Sequence, residues 1–209
     1  MAKKLIITVA RQYGSGGREI GEKIAKILNI PLYDKEIITD AASKGNLDTE
    51  VIRRSEETAA NSLLYTLAMG SNIAGGAMHF GYKMPLNDKL FILQSDIIKG
   101  YAKEGSCVII GRCSDYVLRD EDNILRLFIY GDLDHRQQRI AQRHPEIKSS
   151  AIIELINKTD KRRASYYNFY TGGKWGKYDN YDMAINSSTL GIDATAEMLA
   201  MIASKMMER

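Results

Sequence analysis

The sequence predicts an α/β fold in which a parallel sheet of about five strands is flanked by helices. Two observations support this prediction. Short apolar runs, such as residues 5–10 and 107–110, contain almost no polar side chain, as is typical of parallel strands buried on both faces. Between such runs lie longer segments whose apolar residues recur at helical spacing. This alternation of strand and helix implies right-handed crossovers within one sheet.

The first strand leads into a glycine-rich turn, Gly14 to Gly17, and then into a helix. Such a unit can bind phosphate, because glycines let the backbone approach a ligand and the helix N-terminus offers unpaired N–H groups. The turn departs from the standard P-loop pattern, in which a lysine and a hydroxyl follow the last glycine. Gly17 takes the lysine position, Arg11 takes that of the first glycine, and the hydroxyl that would hold magnesium falls near Glu19. A glycine turn without a ligand is the alternative.

Composition narrows the class of protein. The chain has 209 residues, and its hydrophobic fraction of 44% supports one domain with a sizeable core. A net charge of +3 without a long basic run argues little for nucleic acid binding. Cys107 and Cys113 lack metal-ligand or redox spacing, and Cys107, which lies in an apolar strand pattern, is expected to be a reduced structural thiol. No signal peptide or membrane-spanning run is evident, and we therefore expect a cytoplasmic protein that does not bind membranes.

The remaining elements follow from the same two periodicities. Further strands are expected at residues 30–33, 107–110, 125–130 and 181–185. Helices are expected at residues 35–42, 49–69, between 87 and 105, through 136–143, and at 150–170 and 194–206. The glycine-rich stretch 69–85 is predicted to be a mobile loop, and residues 35–85 together an insertion over the sheet edge. A surface helical pair without a ligand role is the alternative.

Two strands are followed directly by charged residues. Asp34 follows the second strand, and it either lies at the ligand-binding edge of the sheet, caps the next helix, or does both. Arg112 follows the buried strand 107–110, and its planar guanidinium suits a phosphate or a base edge. A structural ion pair with Asp115 or another nearby acid is the alternative for Arg112.

A second group of charged residues lies on two helices. Arg139 and Arg143, together with Arg136, are spaced to share one helix face, which either binds phosphate or is a solvated basic face. Asp160 and Arg163 share a face of the following helix with Tyr167. That helix runs into the aromatic, glycine-rich segment 166–176, which suits a lid over polyphosphate or a surface for single-stranded nucleic acid.

The order of these motifs resembles the cytidylate kinase-like branch of the P-loop nucleoside monophosphate kinases. The resemblance spans nearly the whole chain. It rests on four segments that are fairly specific only in combination: VARQYGSGGREIG, LYDKEII, DKRRASYYNFYTGGKWG and NYDMAINSSTLGID. It implies a single kinase-like domain over residues 1–209, with a core at 1–34, 86–147 and 177–209. An acceptor-binding insertion at about 35–85 and a lid at about 148–176 would complete that domain.

The resemblance also implies a reaction and a site. ATP with Mg²⁺ would be the phosphoryl donor, and CMP or dCMP the first acceptor to test. The donor phosphates would be held by Arg11, Gly14, Ser15, Gly16, Gly17, Arg139 and Arg143. The acceptor would contact Asp34, Arg112 and Asp115. The catalytic residues would be Arg18, Arg112, Asp160 and Arg163.

This sequence departs from the family pattern at two points. The family's glycine–arginine–aspartate segment reads Gly111-Arg112-Cys113, so its carboxylate is missing unless Asp115 substitutes. The P-loop lysine and hydroxyl are missing as well. Loss of the lysine would weaken transition-state stabilisation by roughly several kcal/mol, unless Arg18 or Arg11 supplies the charge. The ligands of the magnesium ion cannot be identified.

Three functions therefore follow, in decreasing order of support. The first is a phosphotransferase, or kinase, that acts on a small-molecule nucleotide. The second is a nucleotide-binding regulatory protein that closes its lid without catalysis, which the missing lysine favours. The third, nucleic acid binding through the basic and aromatic lid, ranks last. A homodimer contact is one of the roles open to the loop 69–85.

Overall fold

The computed structural model describes residues 3–45 and 85–208. Five parallel strands form one sheet in the order β2-β3-β1-β4-β5. The strands are β1 (Ile6–Arg11), β2 (Leu32–Tyr33), β3 (Cys107–Ile110), β4 (Ile124–Tyr130) and β5 (Met183–Asn186). The helices are α1 (Gly17–Leu28), α2 (Lys35–Gly45), α3 (Leu86–Glu104), α4 (Ser114–Val117), α5 (Leu133–Arg143), α6 (Ser149–Thr171) and α7 (Ser187–Glu208). A 3₁₀ turn, Tyr178–Asn180, precedes β5.

Strand β1 lies at the centre of the sheet and is buried on both faces. Its register pairs Ile6 with Cys107 of β3 on one side and with Ile124 of β4 on the other. Because side chains alternate along a strand, Ile7 and Val9 pack against α1 and α7, whereas Ile6 packs against α2 and α3. Helices on both faces are the reason why the run of residues 5–10 is apolar at all positions except Thr8, and the predicted parallel sheet is confirmed.

Two boundaries differ from the sequence-based expectation. Strand β2 contains only Leu32–Tyr33, because its pairing with β3 is limited to those two residues. Helix α7 begins at Ser187 rather than near residue 194, and it changes direction at Gly191, where φ is 76°. The Ser187 hydroxyl lies 2.7 Å from the carbonyl oxygen of Ser15 and 2.9 Å from that of Tyr130, which ties the start of α7 to the glycine-rich turn.

The remaining predictions concern residues 35–85, membrane-spanning segments and the two cysteines. The helix at 49–69 and the loop at 69–85 lie almost entirely outside the described residues, as does most of the proposed insertion at 35–85. Of the helices that the structure describes, none is long and apolar enough to cross a membrane. Cys107 is free and buried, as predicted, and so is Cys113; burial raises the pKa of the Cys107 thiol to about 11.

Candidate phosphate and acceptor site

The glycine loop, residues 13–17, connects β1 to α1 in a conformation that requires glycine. Gly14 and Gly16 have φ angles of 80° and 78°, in the left-handed region. A Cβ atom on Gly16 would lie 2.1 Å from Cδ1 of Ile192 in α7, and one on Gly14 would lie 2.9 Å from the carbonyl oxygen of Arg136. Close packing and backbone conformation thus both require glycine at these two positions.

The loop ends at a helix N-terminus that is suited to an anion. Helix α1 begins at Gly17, and its first intrahelical bond runs from the Ile20 N–H to the Gly16 carbonyl oxygen at 2.9 Å. The N–H groups of the helix residues before Ile20 therefore have no intrahelical acceptor. Together with the partial positive charge of the helix end, they fit a phosphate group, as the sequence predicted.

An ion pair from α5 and α6 fixes the loop in place. Arg136 is buried, and its Nε donates to the Tyr13 carbonyl oxygen at 2.7 Å while another guanidinium nitrogen binds Asp160. Asp160 also accepts the Tyr13 N–H at 2.7 Å. Both backbone groups of Tyr13 are thus held by this pair. The sequence placed Arg136 on the basic face of its helix, but it did not indicate that this arginine is the buried one.

The other two arginines of α5 lie at the mouth of the loop. Arg139 and Arg143 both donate to the Glu19 carboxylate, at 2.8 and 2.7 Å. Arg139 also has a buried Nε atom without a hydrogen-bond partner in the described part of the chain. Glu19 lies one residue after the position of the P-loop hydroxyl, which is Arg18 in this chain, so two cations lie beside the place where the donor phosphates are expected.

A second carboxylate–arginine pair lies beside α1. Arg18 is half-exposed, and its Nε forms a salt bridge with Asp34 at 2.8 Å, while its Nη2 lies 3.3 Å from Glu22. Asp34 is nearly buried, and its own N–H donates to the Glu36 carboxylate at 3.0 Å. Asp34 therefore lies at the expected sheet edge and contacts α1.

These residues do not fit a magnesium ion held by the protein. The nearby carboxylates already have cationic partners: Glu19 pairs with two arginines, Asp34 with Arg18, and Asp160 with Arg136. Across residues 3–45 and 85–208, no group of three or more histidine, cysteine or acidic side chains is placed to hold a metal ion. We therefore derive no step through Mg²⁺.

A cavity of about 260 Å³ opens beside the loop at the same edge of the sheet. It lies between the ends of β1 and β3, helix α4 and helix α6, and we call it the arginine cavity. Its lining comprises four arginines, one carboxylate, three aromatic residues and three smaller residues: Arg11, Arg112, Arg162, Arg163, Asp115, Tyr166, Tyr167, Trp175, Ala10, Gly111 and Cys113. Four guanidinium groups against one carboxylate favour an anionic ligand.

Burial, and for Arg11 and Arg163 also the charge of neighbouring arginines, lowers the pKa of three arginines in the cavity. Burial, followed by the charge of Arg163, lowers the pKa of Arg11 to about 9, and Asp34 offsets only part of this effect. Burial is also the first cause that lowers the pKa of Arg112 and of Arg163. A bound anion would oppose these shifts, because it stabilises the protonated guanidinium groups.

The turn after β3 has an unusual backbone. Gly111, Arg112 and Cys113 have φ angles of 72°, 59° and 53°, so three consecutive residues adopt the left-handed conformation. Non-glycine residues in this region carry strain, roughly 1–3 kcal/mol each, and such strain is concentrated at binding sites. The Ser114 N–H closes the turn on the Gly111 carbonyl oxygen at 3.0 Å, and α4 begins there. The turn thereby places Arg112 on the cavity wall.

The far side of the cavity is aromatic and contains its one carboxylate. The Tyr167 hydroxyl donates to Asp115 at 2.7 Å, and burial raises the pKa of Asp115. Trp175 packs edge-on against Phe128, with ring centroids 5.2 Å apart. A planar base could pack against such a wall while polar groups fix its orientation.

The structure brings most of the predicted site together. Arg11, Arg112, Asp115 and Arg163 line the cavity, whereas Arg139 and Arg143 lie with Glu19 at the start of α1, beside the glycine loop that is predicted to bind phosphate. Arg18 and Asp160 contact neighbouring residues rather than the cavity, and their catalytic roles stay predictions. Five residues that line the cavity or fix the loop are absent from the site residues that the resemblance implied: Arg136, Arg162, Tyr166, Tyr167 and Trp175. The aromatic segment 166–176 was the signal for the last three, and the basic helix face was the signal for Arg136.

A parallel sheet in this strand order, with a glycine loop after its central strand, defines a P-loop kinase fold. The cytidylate kinase-like family model matches residues 6–189, so the chain belongs to the cytidylate kinase-like family. This confirms the resemblance and the fold class inferred from the sequence. Among curated proteins there is no significant match.

Solved structures show the same fold. An uncharacterized protein from Eubacterium ventriosum ATCC 27560 is 27% identical, with a TM-score of 0.69 over 96% of this chain and 98% of that chain. A shikimate kinase from Bacteroides thetaiotaomicron is 12% identical, with a TM-score of 0.54 over 96% and 98% of the two chains. A gluconokinase from Sinorhizobium meliloti 1021 is 14% identical, with a TM-score of 0.52 over 98% and 97%.

Proposed function

We propose that the protein is an ATP-dependent phosphotransferase that moves the γ-phosphoryl group of ATP to a nucleoside monophosphate. CMP and dCMP are the first acceptors to test. The observation that carries the proposal is that a glycine loop and an arginine-lined cavity open side by side at one edge of the sheet. Membership of the cytidylate kinase-like family and the P-loop kinase fold support the same class of reaction.

The donor phosphates would bind at the glycine loop. The N–H groups at the start of α1 would contact phosphate oxygens, and Arg139 and Arg143 would exchange Glu19 for the donor. This exchange keeps the number of ion pairs constant, because each guanidinium leaves a carboxylate for a phosphate. Mg²⁺ is expected to accompany ATP, and we assign it no protein ligand.

The acceptor would bind in the arginine cavity. Its phosphate would be neutralised by Arg112 and Arg163, which approach from the β3 turn and from the lid helix. Its base would pack against the aromatic wall, within reach of the Asp115 carboxylate and of Tyr167. Because α6 also carries Asp160, which binds the glycine loop, the lid connects the two halves of the site and excludes water from the reacting groups.

The reaction would be an in-line transfer. An acceptor phosphate oxygen forms a bond to the γ-phosphorus while the bond from that phosphorus to the β–γ bridging oxygen breaks, and the electron pair of the broken bond remains on ADP. Positioning and charge neutralisation supply most of the catalysis in such a transfer, and the cluster of arginines provides the charge.

The proposal is tested by measuring ADP release with ATP, Mg²⁺ and a panel of acceptors that contains CMP, dCMP, UMP, AMP and non-nucleotide compounds. We expect turnover with one acceptor class, and a loss of about 100-fold or more in Arg163→Met. Arg119→Met removes an exposed arginine outside the cavity and is the matched control. Turnover that Arg163→Met leaves unchanged would contradict the assigned site.

A second candidate function is a nucleotide-binding regulator without turnover. The absent P-loop lysine favours it, as do the carboxylates that already occupy Arg18 and Arg139. In that case ATP would raise the melting temperature, but a single-turnover reaction with radiolabelled ATP would yield no phosphorylated acceptor. Detection of that product would exclude the regulator.

A further inference from the structure

The position of the missing lysine has no room for any side chain. A Cβ atom on Gly17 would lie 2.5 Å from Cβ of Arg11, 3.2 Å from its Cγ and 3.0 Å from Cβ of Ile129. Real Cβ atoms do not approach one another this closely, and the main obstacle is the stem of Arg11 rather than its mobile end. The arginine at the end of β1 and the glycine at the lysine position are therefore sterically dependent on each other.

The other end of Arg11 reaches the acceptor side. A Cβ atom on Gly111 would lie 2.0 Å from Nη1 of Arg11, so the guanidinium lies against the turn after β3 and lines the arginine cavity. One side chain thus runs from beneath the glycine loop to the acceptor cavity. The backbone of Arg11 is fixed as well, because Arg163 donates to its carbonyl oxygen at 2.9 Å.

The charge of this guanidinium has no direct partner among residues 3–45 and 85–208. No hydrogen bond or salt bridge joins it to another described side chain, and Asp34, the carboxylate that acts on it electrostatically, is held by Arg18 at 2.8 Å. Arg18 itself is half-exposed and paired with two carboxylates. Of these two candidate replacements for the lysine, Arg11 has its charge available and Arg18 does not.

We propose that Arg11 has taken over the function of the P-loop lysine and that its guanidinium contacts the phosphoryl group while that group passes from donor to acceptor. This inference rests on the proposed function and adds a catalytic residue to it. Arg11 stays protonated throughout and donates N–H bonds to the non-bridging oxygens of the transferring group. In this arrangement Arg18 positions Asp34, and Gly17 and Gly111 are small because Arg11 fills the space beside each of them.

The first experiment compares three arginine variants that keep a side chain of similar length. Arg11→Met is expected to lower kcat/KM by about 100- to 1,000-fold, whereas Arg18→Met should lower it by about 10-fold or less and Arg119→Met by less than about 2-fold. Inorganic tripolyphosphate is the probe for binding, measured by calorimetry. Its affinity should fall at least about 10-fold in Arg11→Met and less than about 3-fold in Arg18→Met.

The second experiment moves the positive charge from position 11 to position 17. Gly17→Lys and Arg11→Gly should each be nearly inactive. The double variant Arg11→Gly/Gly17→Lys restores the glycine and lysine of the standard pattern, and it should be at least about 10-fold more active than Arg11→Gly. The stability of Gly17→Ala to urea provides a test that does not depend on catalysis. This substitution should destabilise the parent protein more than the Arg11→Gly variant, because the contacts with Cβ and Cγ of Arg11 are then gone and only the contact with Ile129 remains.

The outcomes separate this inference from the proposed function. If Arg11→Met keeps turnover and tripolyphosphate affinity within about 3-fold of the parent, Arg11 has no phosphoryl role. If the parent turns over no acceptor but Arg11→Met still loses tripolyphosphate affinity, the proposed function fails and the placement of Arg11 stands. If Arg11→Met does not fold, Gly111→Ala displaces the guanidinium while retaining its charge, and unchanged turnover in that variant refutes the proposal.

Discussion

The Arg136–Asp160 pair provides a direct test of how the glycine loop is held. The pair joins α5 to α6, and its two members bind the carbonyl oxygen and the N–H of Tyr13. Arg136→Met would remove the charge and the bond to the Tyr13 carbonyl, while retaining most of the apolar stem. We predict a lower free energy of unfolding and weaker binding of nucleotide, because the loop would lose one of its two anchors.

The burial of the two side chains sets the expected loss in the free energy of unfolding. The side chains of Arg136 and Asp160 are 7% and 16% exposed. Removing one member of a buried pair typically costs about 3–5 kcal/mol, since the other charge is left without its partner. Asp160 would keep the Tyr13 N–H and some contact with solvent, so we expect about 3 kcal/mol for Arg136→Met, at the lower end of that range.

Urea denaturation of a double-mutant cycle measures the interaction. Asp160→Asn keeps an acceptor for the Tyr13 N–H, and the cycle with Arg136→Met should give a coupling energy of at least about 1 kcal/mol. The control is the Arg126–Asp182 pair, which has an N–O distance of 2.9 Å and side chains that are 34% and 35% exposed. Exposed pairs contribute about 0.2–1 kcal/mol. Equal coupling in the two pairs would refute the reasoning.

Three further predictions concern single residues. Gly16→Ala should cost about 1–3 kcal/mol in urea denaturation because of its φ of 78° and its contact with Ile192, whereas Gly100→Ala, with nothing within 4 Å, should be neutral or stabilising. Because burial raises the pKa of Asp115, the stability that this group contributes is present below its unfolded pKa of about 3.9 and is lost as pH rises through the folded pKa. Asp115→Asn should therefore gain stability relative to the parent between pH 4 and pH 7, and a pH-independent difference would contradict this. In a Cys113→Ser variant, Cys107 should react with a thiol reagent at pH 8 only after unfolding, since its pKa is about 11 and it is buried; rapid reaction of the native protein would show otherwise.

The glycine loop and the arginine cavity differ in how their positive charges are balanced. Each cation at the glycine loop pairs with a carboxylate of the same chain: Arg139 and Arg143 with Glu19, and Arg18 with Asp34. The arginine cavity, in contrast, has an excess of positive charge. A donor would therefore compete with internal carboxylates, while an anionic acceptor would relieve repulsion among the cavity arginines. We expect high salt to weaken acceptor binding more than donor binding, because the cavity attraction is not offset within the chain.

The sequence by itself determined the sheet, the order of its elements and the family. Runs such as residues 107–110 are apolar at every position, and burial on both faces of a parallel sheet explains that pattern without knowledge of the neighbours. The glycine loop was also predictable, because the left-handed turn at Gly14 and Gly16 depends on local chain geometry. These features depend on residues that are close together in the sequence.

Only the tertiary structure decided what each charged residue contacts. Asp160 binds Tyr13 across 147 positions of the chain, and Arg136 binds the same residue across 123. Three arginines on one helix face look alike in the sequence, but only Arg136 is buried, because its side chain meets the glycine loop. The same holds for Arg11, whose stem excludes a side chain at position 17. Such roles depend on distant segments that only packing brings together.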